Sequence, residues 1–137
     1  MDTDHPTLSK FRREISSGAL SLMLLAMLEQ IGEPTYGYDL AKRLATFAPD
    51  GEAPRQGTLY PALRSLEKLG LLASTIEPST SGPPRRYYQP TDDGRAALVA
   101  WNGEWRRMSG YVDAVLAATD ATPTDSTTST DTDGATT

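Results

Sequence analysis

The stretch that decides the fold is GTLYPALRSLEKLGLL, residues 57–72. Its leucines at positions 59, 63, 66 and 69 recur at intervals of three and four, which is the spacing of one helix face. Pro61 is compatible with the first turn of a helix if Thr58 is the N-cap, because no intrahelical donor is required there. Gly70 suits the left-handed residue that ends a helix. The stretch therefore predicts a helix over residues 57–69.

Two further helices are predicted upstream. One carries a broad apolar stripe that ends before Gly32-Glu33-Pro34 and consists of Leu20, Met23, Leu24, Met27, Leu28 and Ile31. The next is expected to start at Thr35 as N-cap and to bury Leu40, Ala41, Leu44 and Phe47. Closer to the N-terminus, Leu8, Phe11 and Ile15 indicate a short helix over 7–15, which Ser16-Ser17-Gly18 is expected to interrupt.

Downstream of Gly70 the apolar spacing changes from that of a helix to that of a strand. Leu71–Glu77 and Arg86–Gln89 are predicted to pair as a hairpin around a polar, proline-rich loop over 78–84. Thr91 is the predicted N-cap of a last helix, with Asp92 and Asp93 at the positive end of its dipole.

The last predicted helix carries a heptad seam, with apolar residues at alternating intervals of three and four: Leu98, Trp101, Trp105, Met108, Val112 and Val115. The seam is short for an independent coiled coil. It therefore requires a partner, which is either the body of its own domain or the same helix of a second chain.

The order of elements, three helices and then a two-stranded wing, is that of a winged helix-turn-helix. We expect a mainly α fold with a small β-hairpin, followed by a C-terminal helix that is a dimerisation helix if its seam pairs with a second chain. The expected organisation is an N-terminal segment over 1–15, a winged helix-turn-helix over 16–91, the dimerisation helix over 92–118, and a tail over 119–137. The tail is rich in Thr and Asp, has no apolar period, and is expected to be acidic and disordered.

Composition excludes several classes of function. The 137 residues include no cysteine and a single histidine, His5, so thiol catalysis, disulfides and His/Cys metal centres are excluded. Because no nucleophile–base pair, phosphate-binding glycine loop or metal-ligand spacing occurs, we predict no enzyme, no catalytic residue, no metal and no cofactor. The longest apolar run, Leu22–Leu28, is far shorter than the ~20 residues of a membrane span. We therefore expect a cytoplasmic protein with no membrane partner.

The charge distribution favours a nucleic-acid partner. The formal net charge is −5, but the tail holds four aspartates and no cation, which leaves −1 for residues 1–118. The residues expected at a DNA surface lie on or beside the third helix or at the base of the wing: Arg55, Gln56, Thr58, Tyr60, Arg64, Lys68, Arg85 and Arg86. These residue types contact phosphates and base edges. On charge alone, Arg64 and Lys68 could equally be an ordinary solvated helix face.

Three motifs resemble those of PadR-type transcriptional regulators. They are the stretch over 57–72, the run Tyr36-Gly37-Tyr38-Asp39-Leu40, and the run PRRYYQPTDDG over 84–94. The resemblance covers about residues 16–116. With a single helix after the wing, the chain is similar to the short subfamily. Two features depart from the family pattern: Gln89-Pro90 stands where Arg-Leu is more usual, and the acidic tail is additional.

The resemblance implies a homodimeric repressor that binds double-stranded DNA at a near-palindromic operator. It implies that Tyr38, Thr58, Tyr60 and Arg64 contact DNA and that the wing arginines contact phosphate. Tyr60 could instead pack at the helix start, and Tyr38 could pack on the third helix. Trp101 and Trp105 are either interface core or the walls of a site for a planar aromatic effector. The alternative function is a winged-helix protein-interaction module that does not bind DNA.

Overall fold

The computed structural model describes residues 6–132 of the chain, with side chains as far as residue 119. It contains four helices and a small sheet among these residues: α1 (Pro6–Ile31), β1 (Thr35–Tyr36), α2 (Gly37–Ala45), α3 (Gln56–Lys68), β2 (Leu72–Glu77), β3 (Arg85–Pro90) and α4 (Asp92–Thr132). The expected mainly α fold with a small hairpin is confirmed. The chain divides into two compact units between Ala100 and Trp101.

Leucines form the core of the first unit. The largest fully buried side chains come from the first three helices, and they are Leu24, Leu25, Leu28, Leu40, Leu59, Leu63 and Leu66. Helix α1 contacts α2, α3 and β3, so it is the central element of this core. Each fully buried leucine contributes about 1.5–3 kcal/mol of hydrophobic free energy. The helical periods read from the sequence placed six of these seven leucines on the apolar faces, and Leu25 was the one they left out.

Three residues predicted to face inward are exposed instead. Met23, Phe47 and Leu69 retain 47%, 70% and 67% of their accessible surface. Met23 and Phe47 line an apolar cavity of about 490 Å³ between α1 and the loop that follows α2. Leu69 follows the last residue of α3, where the chain turns toward β2. These positions lie at the edges of the predicted stripes, which are wider than the faces that are buried.

Helix α1 is continuous, so the interruption predicted at Ser16-Ser17-Gly18 is wrong. Ser16 Oγ donates to the carbonyl of Arg13 at 3.2 Å, which a helix permits. One glycine in a helix interior costs only about 1 kcal/mol. The helix is long and apolar enough to cross a membrane by length and composition alone. Its apolar residues Leu20, Leu24 and Leu28 are buried in the domain core, which accounts for that composition.

The sheet has three strands in the order β1-β3-β2, and the sequence indicated only two of them. Strand β3 pairs antiparallel with β2 through Ser74↔Tyr88 and with β1 through Thr35↔Tyr88. Thr35 is therefore a buried strand residue, and its predicted role as the N-cap of α2 is wrong. The N-cap of α2 is Tyr36. A two-residue strand has too few positions to show an alternating pattern, which is why it was missed.

Helix α3 begins earlier than predicted. Its N-cap is Arg55, whose carbonyl accepts hydrogen bonds from the amides of Thr58 and Leu59, both at 2.9 Å. Pro61 consequently lies inside the helix, and the exposed Gly57 carbonyl lacks the amide donor that another residue at 61 would supply. The predicted Thr58 cap is therefore wrong. The predicted role of Gly70 is correct: it has a φ of 82° and follows Leu69, the C-cap of the helix.

Helix α4 begins at the predicted cap and extends beyond the predicted end. Thr91 Oγ1 accepts a hydrogen bond from the amide of Gly94 at 3.0 Å and donates to the carbonyl of Gly70 at 2.7 Å. The helix continues to Thr132, past residue 118. The acidic, disordered character expected of the tail over 119–137 stays a prediction. The rest of the predicted tail, 133–137, lies outside the described residues.

Gly94 closes the turn between the sheet and α4 and tolerates no side chain. A Cβ at this position would lie 2.0 Å from the carbonyl oxygen of Leu71. Gly94→Ala should lower the free energy of unfolding by about 3 kcal/mol, the upper part of the range for overpacking. Urea unfolding followed by circular dichroism measures the change. The matched control is Gly18→Ala, which meets nothing within 4 Å and should be neutral or stabilising. Equal stability of the two variants would contradict the close packing of Gly94.

Candidate nucleic-acid interface

One side of α3 is free of the rest of the first unit. Leu59, Leu63 and Leu66 face the core, whereas the polar residues named from the sequence are exposed: Arg55, Gln56, Thr58, Arg64 and Lys68. Within the described part of the chain, Arg55, Arg64 and Lys68 form no ion pair with an acidic residue. Their charges are therefore available to an anionic partner.

Tyr60 has a packing role that the sequence left open. It is partly buried, and a Cβ added to Gly37 would lie 2.3 Å from its Cε1 atom. The Tyr60 ring thus covers the first residue of α2, and a larger residue at 37 would have to displace it. This contact joins α3 to the start of α2.

Tyr38 belongs to an aromatic cluster on the surface of the first unit. It is 53% exposed, and its ring stacks on that of Tyr36 at a centroid distance of 6.4 Å. Lys42 Nζ lies 5.4 Å from the centroid of the Tyr38 ring. The aromatic and cation–π contacts of the Tyr38 ring are with Tyr36 and Lys42, and neither of these residues lies on α3. Its exposed hydroxyl-bearing ring stays accessible to a phosphate.

The two wing arginines have different surroundings. Arg86 Nη1 donates to Ser74 Oγ at 2.9 Å, and Ser74 Oγ donates to Glu67 Oε2 at 2.7 Å. This chain of hydrogen bonds ties the wing to α3. Arg85 instead lies over the ring of Tyr36, with 4.5 Å between its Cζ atom and the ring centroid.

Tyr88 is the buried tyrosine of the wing, and Tyr87 is partly exposed. Burial is the main cause that raises the pKa of Tyr88, and the nearby Arg86 partly opposes it. Glu67 raises the pKa further, while Arg64 lowers it. Residues from α3 and from the wing therefore share one electrostatic environment.

Sequence reasoning missed four residues of this surface: Tyr36, Lys42, Glu67 as a hydrogen-bond acceptor, and Ser74. Tyr36, Lys42 and Ser74 each contact a residue that was named, and Glu67 bonds Ser74. Three of these contacts join separate elements. Only the Lys42–Tyr38 spacing of four residues within α2 could have been read from the sequence.

The exposed apolar side chains of the second unit lie on α4. They are exposed at 42–62%, and they are Trp105, Met108, Tyr111, Val112, Val115 and Leu116. Five of these residues line an apolar hollow of about 230 Å³: Met108, Tyr111, Val112, Val115 and Leu116. Leu98 and Trp101, the first two residues of the seam, are partly buried.

A family model described as the transcriptional regulator PadR-like family matches residues 24–100, more than half of the chain. The chain belongs to this family. A PadR-like chain is a regulator and not an enzyme, and no group of three metal-ligating side chains occurs among the residues searched for one.

Solved structures agree with the PadR-like assignment. A PadR family transcriptional regulator from Eggerthella lenta is 36% identical, with 81% of this chain and 89% of that chain covered and a TM-score of 0.63. A PadR-like transcription factor titled as from "bacteroid fragilis" is 28% identical, with coverage of 77% and 98% and a TM-score of 0.63. An uncharacterized protein of Lysinibacillus sphaericus is 24% identical over 105 residues, 77% of this chain and 94% of its own. The chain is therefore a DNA-binding regulator of the PadR-like family.

The raised pKa of Tyr88 predicts a loss of stability in alkali. The folded protein prefers the neutral phenol, so this contribution to stability is complete below the unfolded-state pKa of about 10. It is lost as the pH rises through the higher pKa of the folded state. Urea unfolding across this range should show that the wild type loses more stability than Tyr88→Phe. Parallel pH profiles for the two proteins would contradict the shift.

Proposed function

We propose that this PadR-like regulator is a cytoplasmic, dimeric repressor that reads a near-palindromic operator with α3. The observation that carries the proposal is the outward face of α3, which presents Arg64 and Lys68 uncovered by the rest of the first unit. In a winged helix-turn-helix the third helix enters the major groove and the hairpin reaches the flanking backbone.

The proposed roles follow from residue chemistry. Arg64, Gln56 and Thr58 contact base edges, because guanidinium, amide and hydroxyl groups match their donors and acceptors. Arg55 and Lys68 contact phosphates beside them. Tyr38 donates to a phosphate, and Tyr60 contributes through its edge while it holds α2. Arg85 and Arg86 contact the backbone next to the wing, with Arg86 restrained by its bond to Ser74.

The dimer is proposed from the unpartnered apolar face of α4. The heptad residues beyond Trp101 are exposed, and large exposed apolar patches mark interaction sites. A second copy of α4 is self-complementary to this face, as a two-fold interface requires. Two α3 helices would then enter successive major grooves, with half-sites about one helical turn apart.

Regulation is proposed at the same seam. Trp105 is half exposed, and its ring offers a flat apolar surface for a planar aromatic effector. An effector that binds better when the two α3 helices fit DNA poorly would shift the population toward that state and release the operator.

Arg64→Ala tests the base contact. It should weaken binding to the operator by about 1–3 kcal/mol and relax specificity at one base pair. Mobility-shift titrations at several salt concentrations, with the DNA upstream of the protein's own gene and with mixed-sequence duplex, measure both effects. Wild-type binding should fall steeply with salt, because phosphate contacts release counterions.

Arg107→Ala is the matched control, because Arg107 lies on α4 and pairs with Glu104 at 2.8 Å. It should leave the affinity unchanged. An equal loss on operator and mixed-sequence DNA would make Arg64 a backbone contact. Salt-independent or absent binding by the wild type would favour the protein-interaction module.

The two tryptophans test the effector site separately. Trp101→Phe leaves Trp105 as the remaining indole, and Trp105→Phe leaves Trp101. A panel of planar aromatic compounds should quench the fluorescence of the first variant strongly and of the second weakly, at micromolar concentrations. The effective compounds should also release the operator from the wild type and not from Trp105→Ala. Absence of quenching across the panel, with unaltered induction in Trp105→Ala, would reject the site.

A further inference from the structure

Tyr36 lies where three parts of the first unit meet. Its backbone belongs to β1, which pairs with β3 through Tyr36↔Tyr87. Its ring stacks on Tyr38 of α2 and lies 5.4 Å from the Tyr87 ring at an interplanar angle of 57°. The side chain is only partly buried. It therefore connects the helix-turn-helix to the wing at the protein surface.

The same ring carries the guanidinium group of Arg85. The 4.5 Å between Arg85 Cζ and the Tyr36 centroid is within the range of a cation–π contact. Among the described residues, the Arg85 side chain makes no hydrogen bond and no ion pair, although Glu77 is opposite Arg85 in the β2–β3 register. The N–H donors of the guanidinium group are consequently free, while the group itself lies over the Tyr36 ring.

Arg86, the other wing arginine, is held by a hydrogen bond and not by an aromatic ring. It donates to Ser74, which in turn donates to Glu67, so one of its nitrogens is already engaged within the protein. Arg85 is thus the wing cation whose donors are fully available, and its position depends on a side chain from a different element.

We infer that Tyr36 is a positioning residue for the wing: its ring holds the Arg85 guanidinium in the orientation that contacts a DNA phosphate. This inference rests on the proposed DNA-binding surface. A planar guanidinium that is already oriented loses less conformational freedom when it forms hydrogen bonds. Tyr36 acts through Arg85 and needs no contact with DNA of its own.

Tyr36→Leu removes the ring, and Tyr36→Phe keeps it. With mixed-sequence duplex DNA, Tyr36→Leu should weaken binding about two- to five-fold, the range of an exposed cation–π contact. Loss of the Arg85–phosphate contact should reduce the slope of log affinity against log salt by up to about 0.9. Tyr36→Phe should match the wild type in both measurements. Urea unfolding of each variant shows whether the domain itself is affected.

The double variant Tyr36→Leu/Arg85→Ala decides whether the two residues act together. If Tyr36 works through Arg85, Tyr36→Leu should have no further effect on affinity in the Arg85→Ala background. Full additivity, or a wild-type affinity and salt slope for Tyr36→Leu, would overturn the inference.

A measurement without DNA separates this inference from the function on which it rests. The ring current of Tyr36 should shift the side-chain proton resonances of Arg85 upfield in the free protein. The shift should persist in Tyr36→Phe and vanish in Tyr36→Leu. If the shift follows this pattern but the wild type binds no duplex, the DNA-binding proposal fails. If the resonances are the same in all three proteins, the positioning role fails.

Discussion

The burial of one leucine face on α3 is the constraint on which the rest of the structure depends. Leu59, Leu63 and Leu66 are almost completely removed from solvent, and they fix the rotation of the helix about its own axis. Because a helix has only one buried stripe here, the opposite side must face outward. Arg64 and Lys68 owe their exposure to these leucines, so packing inside the domain determines which side chains an approaching polyanion meets.

The sequence predicted the helices and the wing because both depend on local periodicity. It failed where local preference and tertiary contact disagree. Ser16-Ser17-Gly18 predicts the end of a helix, yet α1 continues across these residues because the turns on either side are helical. Thr58 is a good N-cap by type, but the amides of Thr58 and Leu59 both bond the carbonyl of Arg55, and the helix starts earlier. Strand β1 exists only because β3 is beside it, and no pattern two residues long can show that.

The candidate site also has a part that could be predicted and a part that could not. The cations on α3 could be predicted from residue type and spacing, since both can be read along one helix. The residues that contact the site from other elements could not be predicted. Ser74 and Glu67 are joined through a hydrogen bond that brings α3 against β2, and Arg86 adds β3. Gly37 was quoted only as part of a motif, while the structure gives its reason: the Tyr60 ring fills the space that a larger residue would need.

The junction between α3 and α4 has a mechanical consequence. The carbonyl of Gly70, just past the end of α3, accepts the hydroxyl of Thr91, and the Thr91 amide donates to the Leu71 carbonyl at 3.1 Å. Gly94 lies against the same carbonyl with no space between them. The adjacent carbonyls of Gly70 and Leu71 are thus both held against the start of α4, so the connection has little freedom to bend. A torque applied to the first turns of α4 would be passed on to the C-terminal end of α3 before it could be absorbed by bending at the connection.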